Sequence, residues 1–147
     1  MVKLMNRVLP AILLLFFIFG CDLLERYDSQ FNNYSELTNS KSWKGGWVPK
    51  QIPKDAVNIK ESHYIDRSSV ILAFDFSEDF KGELDKNCDN KNVHEIKFAN
   101  IDAKWWPNSL KGSAFASSHE HHFFSCPDIE GYFAIPFGSE KVYYWRS

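Results

Sequence analysis

Little in this 147-residue sequence is in excess. Seven glycines and six prolines are too few for a collagen-like or low-complexity chain, and three cysteines are too few for a small disulfide-dense scaffold. No internal repeat is present, and no G-x-S-x-G elbow, phosphate-cradling glycine loop, CxxC pair or HExxH helix occurs. Basic charge is not in excess either: 17 Lys and Arg stand against 19 Asp and Glu, a formal charge of −2. What remains is a globular balance, 24% charged and 44% apolar, at a length that suits one domain.

The one long apolar run is at the start. Lys3 and Arg7 make a short positive segment, and Val8 to Gly20 follows as an almost unbroken apolar stretch. That order reads as a secretory signal, with an uncleaved membrane anchor as the alternative; the run is too short for a comfortable spanning helix, which needs about 20 residues. Its end, Ile18-Phe19-Gly20-Cys21, resembles the lipobox of bacterial lipoproteins. The resemblance implies that Cys21 is acylated and becomes the mature N-terminus, with residues 1–20 removed as a signal peptide. Acyl chains add about 0.8 kcal/mol of membrane affinity per buried methylene, so two or three of them anchor firmly. Asp22 resembles an inner-membrane retention signal whose rule varies between bacteria, so the choice of membrane stays open.

Without residues 1–20 the chain keeps 15 basic residues against 19 acidic, a charge of −4. A mildly acidic exported domain is not expected to bind nucleic acid, and the membrane is held through the lipid rather than through charge. Cys88 and Cys126 remain as an even pair, which in an exported domain reads as one disulfide, with two free buried thiols as the alternative. Its loop of about 40 residues is worth roughly 3 to 4 kcal/mol in the chain-entropy model.

Residues 21–42 are polar and read as a tether, about 25 Å across if flexible. Leu23, Leu24, Tyr27, Phe31, Tyr34 and Leu37 recur at spacings of three and four, so Tyr34 to Ser40 is expected to be a short helix. Residues 43–147 read as one globular domain. Lys54 to Glu61, after Pro53, is expected to make one or two helical turns. Strands are expected at Ser68 to Phe76, Val93 to Phe98, His121 to Cys126, Gly131 to Phe137 and Val142 to Trp145, with Asn87 to Asn92 a polar turn holding Cys88. The fold class is α+β: a small β-rich domain with an antiparallel sheet of four to five strands and one or two short helices.

Gly46-Trp47-Val48-Pro49, Ile52-Pro53, Ala56, Ile59, Glu61, His63 and Asp66 form a spaced core motif. It is similar to that of YbbD-like proteins, small exported bacterial proteins that are often lipoproteins. Trp105-Trp106-Pro107 and Val142-Tyr143-Tyr144-Trp145 fit the same likeness. The family brings no activity, cofactor or catalytic residue; that some members are encoded near Rhs-type elements implies immunity or accessory roles.

Three sets of residues carry candidate chemistry. Glu61 and His63 share a face of an extended chain, with Asp66 beyond them, so a carboxylate would orient an imidazole. The blander account is a hydrogen-bonded turn. In His119-Glu120-His121-His122, His119 and His121 share a face and would hold a metal weakly, with His94 or a carboxylate as a third ligand. The blander account is a polar surface strand. Trp47, Trp105 and Trp106, with other rings, would make a contact platform or else a core built from large side chains. No catalytic residue and no cofactor is expected. The sequence reads as a lipid-anchored protein of the cell envelope facing the periplasm, a protein-binding module rather than an enzyme. The alternatives are an immunity-type lipoprotein that neutralises a toxin, or a metal-dependent hydrolase using His119 to His122.

Overall fold

Strand β3, Ser69–Asp75, is buried over its first six residues and so needs cover on both sides. Val70, Leu72 and Phe74 face one way and Ile71 and Ala73 the other, and each set enters a different apolar cluster or its margin. The rest of the architecture supplies those two covers. The computed structural model describes residues 26–76, 79–99, 101, 103–112 and 120–147.

Two meanders make the sheet. The first runs through β1 (Arg26–Asn33), β2 (Val57–Tyr64) and β3; the second through β4 (Asp89–Lys91), β5 (His121–Ser125), β6 (Tyr132–Pro136) and β7 (Lys141–Arg146). All pairs are antiparallel, in the order β1-β2-β3-β7-β6-β5-β4. The meanders meet at β3 and β7, where Leu72 lies opposite Tyr144 and Asp75 opposite Lys141. Among the described residues the sheet therefore has seven strands rather than four or five, and the β-rich antiparallel class holds.

On the first face lie helices α1 (Tyr34–Asn39), α2 (Lys41–Lys44) and α3 (Phe80–Asn87), with Val48, Ile52 and Ala56 between α2 and β2. Asn33 caps α1 by accepting from the Glu36 amide at 3.0 Å, and Glu36 accepts from the Asn32 amide at 2.8 Å. Ser40 ends α1 and begins α2, its Oγ accepting from the Trp43 amide at 3.1 Å. On the second face Ile96, Ile101, Ala103, Trp106 and Leu110 pack over Ile71, Phe123, Ala134 and Trp145. Trp145 Nε1 donates to the Lys97 carbonyl at 2.7 Å and fixes that cover in place.

Several expectations change. Residues 26–33 of the expected tether are an edge strand paired with β2, while Tyr34–Asn39 is helical as expected. Lys54 to Glu61 is not helical: a turn closes at Ala56, whose amide reaches the Pro53 carbonyl at 3.1 Å, and β2 starts at Val57 so that Ile59, Glu61 and His63 point inward together. Val93 to Phe98 is not a strand. Asn92 and Glu95 cap each other around a single 3-10 turn, and the edge of β5 is already taken by β4. Asn87 to Asn92 is the end of α3 followed by β4. Cys88 and Cys126 are disulfide-bonded and join α3 to the end of β5.

Candidate functional site

The register of the first meander puts Ser29 beside Glu61 and Tyr27 beside His63, with Leu72 and Val70 as the next neighbours on β3. Leu72 and Val70 belong to the first-face core, so Glu61 and His63 each have an apolar neighbour on β3. Glu61 is 0% exposed. A carboxylate in that position must be met by donors. Ser42 Oγ donates to Glu61 Oε2 at 2.8 Å, and His63 Nδ1 lies 2.5 Å from Oε1. Burial pushes the Glu61 carboxyl above its ordinary value, against the opposing pull of His63, Ser42 and the Ser29 hydroxyl.

Helix α2 exists to deliver Ser42. Its four residues turn Ser42 inward and leave Lys41 and Lys44 in water. Gly46 then takes φ +73°, a left-handed conformation that side-chain-bearing residues rarely adopt, and this turn brings Trp47 back over the sheet. The Trp47 ring stacks on His63 at 4.3 Å between centroids and 16° between planes. Tyr27 stacks on His63 at 5.3 Å and 11°. The guanidinium of Arg146 lies 5.9 Å over Trp47. A four-layer stack thus runs from the sheet edge inward: Tyr27, His63, Trp47, Arg146.

Chemically, the array is an imidazole fixed in orientation by a buried carboxylate, which is itself fixed by a hydroxyl. An ionised Glu61 holds the proton on Nδ1 and leaves Nε2 as the acceptor. Among the described residues Nε2 has no hydrogen-bond partner. A surface cavity of about 340 Å³ lies beside the stack, lined by Val48, Lys50, Gln51, Asp128, Tyr144 and Arg146 among others. Burial pushes the Tyr144 hydroxyl up to about 12, and that hydroxyl donates to the Glu130 carbonyl at 2.6 Å.

The sequence candidates are distributed as follows. Glu61 and His63 are joined as expected, and Trp47 covers them. Asp66 does not join them: it sits in the β2–β3 turn, 3.5 Å from Arg67 Nε. Trp106 is 2% exposed and packs edge-on against Tyr143 and Trp145, with Trp105 half-buried beside it. This pair is core rather than exposed contact surface, because the second face of the sheet needs large rings to cover it. His121 is buried and stacks on Phe123, while His122 faces the other side over Phe137. Burial pushes both imidazoles down. His119 lies outside the described residues, as does Cys21. Among the described residues no three His, Cys, Asp or Glu side chains gather as metal ligands. Tyr27 and Ser42 were missed. The period-two spacing of Tyr27, Ser29 and Phe31 was the signal for the first, and nothing in the sequence marked the second.

A single antiparallel sheet of two meanders, with a buried Ser–Glu–His array on the first, defines the class of domain. Residues 25–75, about a third of the chain, match the family model described as the YbbD head domain. It spans β1, β2, β3, α1 and α2, and contains every member of the array and its stack except Arg146. No curated protein and no solved structure matches the chain.

Proposed function

We propose that this protein is a lipid-anchored envelope lipoprotein, acylated at Cys21, whose domain binds an extended segment of another protein along β1. The observation that carries the binding reading is the contrast between the two sheet edges. The β4 edge is three residues long and carries Asp89 and Lys91, a short charged edge of the kind that resists strand addition. The β1 edge is eight residues long, contains no proline, and pairs on one side only among the described residues. Its backbone groups form a template for β-augmentation. The stack of His63 between Tyr27 and Trp47 holds that strand rigid, which lowers the entropy lost on binding.

A photo-crosslinking residue placed at the exposed Gln30 tests this in the producing cell, with the same residue at Lys91 as control. One adduct of defined mass from position 30 and none from position 91 is the expected result. The absence of an adduct from position 30 at native expression overturns the edge reading. Anchoring is tested separately. Cys21→Ser should leave an unprocessed precursor, and processing and membrane association unchanged from the parent would defeat it.

A further inference from the structure

The antiparallel order brings Arg26, the β2–β3 turn, and the end of β7 to one end of the sheet. After residue 20 the sequence holds three arginines, Arg26, Arg67 and Arg146, and all three lie at that end. Arg26 is opposite Tyr64, Arg67 is in the turn, and Arg146 is opposite Val70, its Nε donating to the Ser68 carbonyl at 3.0 Å. The opposite end, at Asn33, Val57, Asp75 and Lys141, has none. The turn also carries Ile65, whose 56% exposure is the highest of the large apolar residues among the described residues.

Resting on the acylation of Cys21, we propose that this end of the sheet sits on phospholipid headgroups, with the strands standing end-on to the bilayer. Chain length is the first argument. Because β1 begins at Arg26, four residues separate Cys21 from the sheet, and five Cα steps reach at most about 18 Å. A lipid on Cys21 therefore holds the arginine end near the surface and leaves the Phe137 end pointing away. Side-chain chemistry is the second. Guanidinium is the planar, five-donor group suited to phosphate, and Ile65 at the tip is placed to enter the interfacial layer. Asp28 and Asp66 pair with Arg26 and Arg67, and Asp128 and Glu130 line one cavity with Arg146, so the end carries no net positive charge. Its partner is accordingly the headgroup layer met as phosphate contacts, and the surface sets orientation while the acyl chains supply affinity.

The test uses the full chain extracted from membranes and reconstituted into phosphatidylcholine–phosphatidylglycerol vesicles. Ile65→Cys and Phe137→Cys variants each carry an environment-sensitive fluorophore, and both positions are exposed, so neither change disturbs the core. Brominated lipid should quench the label at 65 and leave the label at 137 unchanged, and adding Arg67→Glu should weaken the quenching at 65. Equal quenching at both positions, or none at 65, in a sample whose intact mass shows an acylated Cys21 overturns the orientation and leaves the anchoring reading standing. An intact mass without acyl chains overturns the anchoring reading and this inference with it.

Discussion

The disulfide offers a perturbation whose size follows from the topology. Cys88 and Cys126 are 38 residues apart. The loop they close contains β4, the cover of the second face, and β5. Chain-entropy arithmetic for a loop of that length gives about 4 kcal/mol at 25 °C. Cys126 is also part of the first-face core, so paired alanines lose some packing as well. With a urea slope of about 2 kcal/mol/M, Cys88→Ala with Cys126→Ala should lower the midpoint by about 2 M. The change should be local before it is global. The β4 strand is three polar residues whose register with β5 starts at Asp89 opposite Ser125, next to the bridge. Its amides should exchange much faster in the variant, while those of β3 fall only with global stability. A midpoint shift below about 0.5 M, with the parent shown to be oxidised, would refute the loop-entropy reasoning. It would mean that the segment between the cysteines stays structured when the rest unfolds.

Two further outcomes are expected. Glu61→Ala takes away the partner of both the Ser42 hydroxyl and His63 Nδ1 in a buried site and should cost about 3 kcal/mol, whereas Glu61→Gln keeps a polar partner there and should cost about 1 kcal/mol, both read by urea unfolding. At Asp75, burial raises the carboxyl but the contacts with Lys141 and Asn58 outweigh it and hold it below its ordinary value. Its folded pKa is the lower one, so its stabilisation is present above the ordinary carboxylate value near pH 4 and is lost as pH falls through the folded value. The fall in thermal midpoint on acidification should accordingly be shallower in Asp75→Asn, measured from pH 6 downward.

How much of this was legible in the sequence depends on which residues announce their surroundings. Three strands of the second meander were readable because His121 to Ser125, Tyr132 to Pro136 and Lys141 to Arg146 are rich in rings and β-branched residues between turn residues, whereas the three polar residues of β4 read as a turn. Strand β3 was readable for the same reason. The first two strands were not. β1 has polar residues at an edge, and an edge strand needs only one apolar flank, so its composition resembles a tether. β2 hides its alternation because two of its inward positions are Glu61 and His63, and pattern reading places charge outside. The link between Glu61 and His63 was legible from their two-residue spacing. The third member, Ser42, lies 19 residues away and is delivered by a four-residue helix, an event set by tertiary packing. Trp105 and Trp106 failed in the opposite sense, since a proline-flanked pair of indoles looks like a surface loop until the second face of the sheet is seen to need a cover.

The seam between the meanders sets a limit on modularity. The family match stops at Asp75, the last residue of β3, and β3 is buried on both faces and hydrogen-bonded along both edges. A head domain cut at that point would present six paired positions, Val70 to Asp75, as a bare apolar edge. Such an edge does not stay unsatisfied in water; it recruits another strand or aggregates. The head is therefore a half-structure that must be mated. In this chain β7 is the mate, reached only after the chain has gone out to the far edge and come back. Any other protein built on the same three strands has to supply its own closing strand, from further along its sequence or from a neighbour.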